Sequence, residues 1–391
     1  MFFVDKPYVS DFLKQTLKEN NLPVVGTDVS KQLNLYEGTR IISEENARKT
    51  ILSGRHPILY TTSENTIGWI SKYLWAGDLP QKIAMFKNKA IFREITRPIF
   101  PDFFFKKVPV DELKTISFDD LPTPFIIKPA VGFFSMGVHK VSNLQEWQAA
   151  IDAIYSDIRQ VKGLYPLEVL NADEFIIEQC IDGEEFAVDA YFNASGEPVI
   201  LGIFKHMFSS EKDVSDRVYI SSRRIIEENL DSFSSFIGKI GHAAGVKHFP
   251  VHVEFRRNKA GMILPIEVNP MRFGGWCTTA DLTCLAYGFN PYLYYYTQKE
   301  PDWETLLKDK DGKIFSIIVL DNSTGVDSRK ITSFDYDALW SKFETPLELR
   351  KIDYREYPVF AFLFAETREN NMDELKYILN SDLNEFIVSE K

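Results

Sequence analysis

The chain has 391 residues, 45% of them hydrophobic, with 31 Phe, 17 Tyr and a formal net charge of −11. That length allows roughly two or three packed units with an aromatic core, and the acidic balance excludes strong non-specific binding to nucleic acid or anionic membrane, leaving only a local basic pocket. The three cysteines, Cys180, Cys277 and Cys284, contain no CxxC pair and cannot build a disulfide framework, which fits a reducing cytoplasmic setting.

The opening "MFFVDKPYVS" has neither the basic region nor the long apolar core of a signal peptide, and no apolar run nears the ~18 residues of a membrane helix. "FFVD" reads as a short buried strand, and Val9, Phe12, Leu13 and Leu17 then fall at helical spacing. "LPVVGT" and Ile58–Tyr60 read as further strands, the latter followed by Ser63 as a cap and an amphipathic helix. These elements predict a Rossmann-type α/β unit over residues 1–86; lacking GxGxxG, it gives a dinucleotide site no support. Beyond residue 87, "KNKAIFREI" reads as a helix and "PFIIKP" and "GVHKV" as strands. Ser142 with Gln145 predicts a capping box for a helix whose apolar stripe is Leu144, Trp147, Ile151, Ile154 and Ile158. "EFIIEQCI", "EEFAVDAYF" and "PVILGIFKHMF", separated by "DG" and "NASGE", predict an antiparallel meander of hairpins. "VHVEFRR", the turn "NKAG" and "MILPIEVN" predict another hairpin; "FSIIVL", "VFAFLFA" and "MDELKYILNSDL" follow as two strands and a helix.

Three stretches carry chemistry. In the hairpin Val251–Pro270, alternation puts Val251, Val253, Phe255, Ile266 and Val268 on one face and His252, Glu254, Glu267 and Asn269 on the other. Glu254 then falls within a diagonal step of Glu267. Two carboxylates so placed repel each other, and a hard divalent cation on these oxygens, Mg²⁺ or Mn²⁺, removes that cost; a solvated hairpin face is the other reading. In "EFIIEQCIDGEEFAVDA", Glu178 sits among Ile176, Ile177 and Cys180 and needs a donor, either a nucleotide group or a structural arginine. In "PFIIKPAVGFFSMGVHKV", Lys128 precedes the glycines and the loop returns into a strand, so this is a hairpin tip rather than a P-loop. Its N–H groups and Ser135 can fold over phosphate; an ordinary flexible hairpin is the alternative.

Lysine, glycine-bearing hairpin, E-(x)6-E, then an acid and E-x-N, in this order, resemble the ATP-grasp superfamily, and the spacing over Lys128–Val138, Glu178–Val188 and Glu254–Asn269 is similar to D-alanine–D-alanine ligases. The resemblance implies an α/β (α+β) fold. Residues 1–86 would form a Rossmann-like pre-ATP-grasp domain and 87–173 a lid subdomain. An antiparallel core with the metal site would span 174–300, and a C-terminal α/β segment 301–391. It implies that Lys89, with Lys87 as the alternative, and Lys128 bind nucleotide, that Ser135 and Gly137 close on phosphates, and that Glu178 accepts from the adenine amino group. Gln179 and Ile181 would offer backbone groups to adenine, and Glu185 would take the ribose hydroxyls. Glu254, Glu267 and Asn269 match the magnesium ligands, Lys205 lies where a γ-phosphate cation is often found, and Arg272 resembles the arginine that steadies the acyl phosphate. The sequence departs from the pattern at Met271, inserted before Arg272, at Phe133 and Phe134 in the loop, and at His252, where D-alanine ligases carry arginine.

The implied activity is an ATP-dependent carboxylate–amine ligase with small-molecule acid and amine substrates, no nucleic acid or membrane partner, and a homodimer compatible with it. A carboxylating or carboxylate–thiol ligase and a non-catalytic ATP-binding module are the alternatives. Arg223, Arg224, His206, His252 and Arg272 are candidate substrate anchors. Trp276, Cys277 and Thr278 are either substrate contacts or core.

Overall fold

The structure, a computed structural model, describes residues 1–54, 58–132, 137–161, 171–210 and 215–388. Strands β1 (Phe2–Phe3), β2 (Val24–Val25), β3 (Ile41–Ile42) and β4 (Tyr60–Thr61) form a sheet in the order β3-β2-β1-β4, all pairs parallel. This is the expected Rossmann-type start. The helix Asp11–Glu19 begins at Ser10, whose side chain accepts from the Leu13 N–H, and it buries Leu13 and Leu17. The strand read at Ile58–Tyr60 lies at Tyr60–Thr61.

A second sheet comprises β5 (Phe105–Pro109), β6 (Phe125–Val131), β7 (His139–Val141) and β8 (Asn171–Gln179) in the order β5-β8-β6-β7, antiparallel throughout. Val108, Phe125, Ile127, Val141, Phe175 and Ile177 pack on Trp147, Ala150, Ile151 and Ile154 of the helix Leu144–Val161, each large side chain contributing about 1.5–3 kcal/mol of burial. Period-2 alternation then puts Lys128, Ala130, Ile176 and Glu178 on the opposite face, where Ala90, Ala130 and Ile176 make a small cluster. Leu144 departs from the expected stripe and is exposed. The cap also moves by one residue: Asn143 Oδ1 accepts from the Glu146 N–H, and Glu146 reaches back to the Ser142 N–H at 2.7 Å. Both Ser142 and Asn143 can cap, and a carboxylate able to reach back favours Asn143.

The remaining strands are β9 (Glu184–Phe192), β10 (Pro198–Met207), β11 (Val218–Ser222), β12 (Phe249–Arg257), β13 (Ile263–Pro270), β14 (Lys313–Asp321), β15 (Ser333–Phe334), β16 (Thr345–Lys351), β17 (Val359–Arg368) and β18 (Ile387–Val388). Packing divides the chain into two units. One is Met1–Gly183, Tyr191–Pro198 and Ser235–Arg272; the other is Glu184–Ala190, Val199–Ser234 and Phe273–Lys391. In the second unit the order is β9-β10-β11-β14-β17-β16, antiparallel from β10 onward. Its core joins Val218, Ile318, Leu320 and Leu363 with Leu375 and Ile378 of the helix Asp373–Asn380, and Phe334 stacks on Phe360 at 3.8 Å.

The expected meander is corrected at its first turn. β8 pairs with β5 and β6 and belongs to a different sheet from β9, so "DG" is not a hairpin turn. Gly183 has φ +122°, and a Cβ there would lie 2.2 Å from the Arg257 carbonyl oxygen. The glycine is required because two backbones nearly touch. Gly183→Ala is expected to destabilise the protein by about 2–4 kcal/mol; an unchanged thermal midpoint would refute the close approach. The second turn, "NASGE", forms as expected, with Asn193 Oδ1 accepting from Ser195 and Glu197 N–H groups.

Candidate active site

The hairpin β12–β13 places Glu254 directly opposite Glu267 and His252 opposite Asn269, so the diagonal expected for the two carboxylates is a direct pair. Asn258 Oδ1 shapes the turn by accepting from the Ala260 and Met262 N–H groups, and Gly261 takes φ +82°. Like charges directly opposite are destabilising, and the neighbours answer this. Asn269 Nδ2 donates to Glu267 Oε1 at 3.2 Å and to Glu254 Oε1 at 3.5 Å. Lys89 Nζ lies 3.1 Å from Glu267 Oε2, and His252 Nε2 lies 3.4 Å from Glu254 Oε1. Burial alone would raise the Glu267 pKa; Lys89 first, then Lys87 and Lys128, outweigh it and hold the carboxyl far below the usual range. The same burial opposes the Lys89 charge, and Glu267 more than compensates, raising that pKa.

Among the described residues no three His, Cys, Asp or Glu side chains gather as a metal site. Two carboxylates and an amide nevertheless fit Mg²⁺, which is commonly held by one or two carboxylates and keeps several waters. Glu254, Glu267 and Asn269 would hold it.

On the inner face of the second sheet, Glu178 is 2% exposed. Lys128 Nζ lies 2.5 Å from its Oε1, and Arg93 Nε donates to its Oε2 at 2.8 Å. Of the two readings open from sequence, this structure supplies the structural arginine. Burial pushes the Glu178 pKa up, and Arg93 and Lys128 pull it down to about 2. Burial also lowers the Lys128 pKa against the pull of Glu178. Arg93 and Lys89 lie one turn apart on the helix Lys89–Thr96, which Asn88 caps by accepting from the Ala90 and Ile91 N–H groups. Among the described residues the buried Arg93 Nη2 finds no hydrogen-bond partner, an unusual state for a donor of this strength. The Gln179 N–H donates to the Phe104 carbonyl at 3.1 Å, and the Ile181 carbonyl accepts from Arg256 Nη1 at 2.7 Å. Gly137 takes φ +69°. Ser135, Phe133 and Phe134 lie outside the described residues.

A third group joins these. Lys87 ion-pairs with Glu64 Oε2, Arg272 Nη2 donates to Glu64 Oε1 at 3.1 Å, and Lys87 Nζ donates to the Gly132 carbonyl at 3.4 Å. Burial would raise the Glu64 pKa, and Lys87 and Arg272 bring it below the ordinary value.

Residues 121–280 match the family described as an ATP-grasp domain. Residues 121–280 thus form an ATP-grasp domain. Three solved structures share the fold at low identity. An L-amino acid ligase from Bacillus licheniformis is 17% identical, covering 100% of this chain and 98% of its own, with TM-score 0.71. A biotin carboxylase from Campylobacter jejuni is 12% identical, covering 100% and 92%, with TM-score 0.63. A phosphoribosylglycinamide synthetase from Anaerococcus prevotii is 13% identical, covering 100% and 99%, with TM-score 0.59. No curated protein sequence matches the chain.

The ATP-grasp assignment leaves several residues to place in the second unit. Glu185 Oε1 lies 3.2 Å from His206 Nδ1, whose Nε2 is 2.8 Å from the Ser215 carbonyl, and the ring stacks on Tyr219 at 4.3 Å. Lys205, on the other face of β10, pairs with the exposed Glu184. Arg223 and Arg224 make exposed ion pairs with Glu227, Asp311 and Glu228 at a helix start. Such pairs are worth little to stability. Trp276 packs edge-on against Tyr357 and Cys277 is buried. Thr278 Oγ1 donates to the Gly275 carbonyl. Glu64 and Arg93 were not singled out from sequence. Only the one-turn spacing of Arg93 from Lys89 signals its position.

No helix among the described residues is long and apolar enough to cross a membrane.

Proposed function

We propose that this ATP-grasp chain is a carboxylate–amine ligase that forms an amide or peptide bond through an acyl phosphate and releases ADP and phosphate. What most supports the reading is that one unit gathers Lys87, Lys89, Lys128, Arg93 and Arg272 against Glu64, Glu178 and Glu267, with Glu254 and Asn269 beside Glu267. The electrostatic reach is continuous: Glu267 responds to Lys89, Lys87 and Lys128, and Lys89 to Glu178. Such an array is built for a polyanion rather than for an apolar ligand.

A carboxylate is a poor electrophile until it carries a good leaving group. Glu254, Glu267 and Asn269 would hold Mg²⁺, which would supply charge neutralisation while ATP supplied the phosphoryl group. Lys89 and Lys128 would orient the triphosphate. Glu178, Gln179 and Ile181 would hold adenine. Arg272 would stabilise the charge that develops on the acyl phosphate.

The L-amino acid ligase among the similar structures favours an amino acid as one substrate. The biotin carboxylase favours a second reading, a carboxylating enzyme. ADP release, measured over amino acids and small carboxylic acids with and without amines and with bicarbonate, separates them. Release that needs both an acid and an amine supports the ligase, and bicarbonate-dependent release supports carboxylation. Tight nucleotide binding with no release under any condition would leave a non-catalytic module and refute both.

A further inference from the structure

We propose that Glu64 is a positioning residue: it sets the guanidinium of Arg272 for reaction and, through Lys87, ties that setting to Gly132, just past β6. The inference rests on the reading above, in which Arg272 meets the acyl phosphate.

The inserted Met271 directly precedes Arg272. It takes φ +67° and is 1% exposed. A non-glycine residue in this region carries roughly 1–2 kcal/mol of strain and persists only where its surroundings hold it. The holder is the end of β4: the Thr61 N–H donates to the Met271 carbonyl at 2.8 Å, and the Thr61 hydroxyl donates to the same oxygen at 3.3 Å. Three residues after Thr61 comes Glu64, which takes Arg272. The insertion that breaks the E-x-N-P-R pattern therefore delivers the arginine to the N-terminal sheet rather than losing it.

Glu64 serves two cations at once. Its side chain is 11% exposed and that of Lys87 is 7% exposed. One cation already balances the Glu64 charge, and the second brings its own desolvation cost. Here each cation belongs to a different part of the site: Arg272 follows the metal strand, and Lys87 donates to Gly132, the last described residue before the loop. Bonding one nitrogen of a planar guanidinium restricts the orientation of the whole fork.

The test uses Glu64→Gln, Glu64→Asp and Arg272→Ala in the full chain. Glu64→Gln is expected to lower kcat for acid- and amine-dependent ADP formation by about 10²-fold, the usual consequence of displacing a reacting group by about 1 Å. KM for ATP should not change. On the Arg272→Ala background Glu64→Gln should add no further loss, because nothing remains to be positioned. Glu64→Asp keeps the buried charge and so the fold, but is too short to span both cations, and its kcat should also fall. Additive losses, or a fall in ATP affinity equal to the fall in kcat, would overturn the proposal.

A second measurement needs no substrate. Modification of Arg272 by an arginine-directed dicarbonyl, followed by mass spectrometry, should be faster in Glu64→Gln than in the unaltered protein. Equal rates would overturn the positioning role. If no acid–amine pair turns over in the unaltered protein, the ligase reading fails while this measurement still decides the role of Glu64.

Discussion

Glu267→Gln is expected to reduce ADP formation by about 10²–10³-fold with the fold intact. The amide matches the carboxylate in size, so packing in β13 is preserved. Two electrostatic functions are lost together: an anionic oxygen for the divalent cation proposed above, and the countercharge 3.1 Å from Lys89 Nζ. The loss should not unfold the protein, because Lys89 also feels Glu64 and Glu178. Loss of the anionic ligand should also move half-maximal activity to a higher Mg²⁺ concentration, a shift that a general packing defect would not produce. Rates measured across a magnesium titration, beside thermal melts of both proteins, check this. Full activity at the same magnesium requirement would refute the metal assignment of the β12–β13 hairpin.

The parts of the site legible in the sequence are those fixed by local periodicity. A period of two puts Glu254, Glu267 and Asn269 on one face of a hairpin whose turn is set by Asn258 and Gly261, and it puts Lys128 and Glu178 on one face of the second sheet. The parts that were not legible depend on distant chain. Arg93 lies 85 residues from Glu178, and Glu64 lies 208 from Arg272; no local pattern reports such a pair. The misread turn has a different origin. "DG" is the chemistry of a hairpin turn and equally of a close backbone crossing, and only the neighbour, Arg257, distinguishes the two at Gly183. At β10 the residue types themselves were ambiguous. Lys205 and His206 must face opposite ways, and a lysine is the more obvious phosphate ligand. Yet an ammonium is costly to bury, whereas an imidazole can be buried neutral. Hence His206 turns inward to Glu185 and Lys205 outward to Glu184.

Glu178→Gln should have the largest effect on stability, and the effect should depend on acidity. Both carboxylate oxygens are engaged, by Lys128 and Arg93, and all three side chains are buried. An amide there takes from Arg93 and Lys128 the carboxylate that both contact. Removing one partner from a buried ionic group typically destabilises by about 3–5 kcal/mol. The direction with pH follows from the shift. The folded pKa, about 2, is depressed below the ordinary 4.5. The carboxylate's contribution is therefore fully present above pH 4.5 and disappears as pH falls through that value toward 2. At 1.36 kcal/mol per unit this amounts to about 3 kcal/mol. The stability gap between the two proteins should be widest near neutrality and shrink through this window, as measured by denaturant unfolding at a series of pH values. A gap that stays constant from pH 7 to the acid limit would mean that the ionised carboxylate is not what holds Lys128 and Arg93 in the interior. That face of the second sheet would then owe its shape to the apolar contacts of Ala90, Ala130 and Ile176 instead.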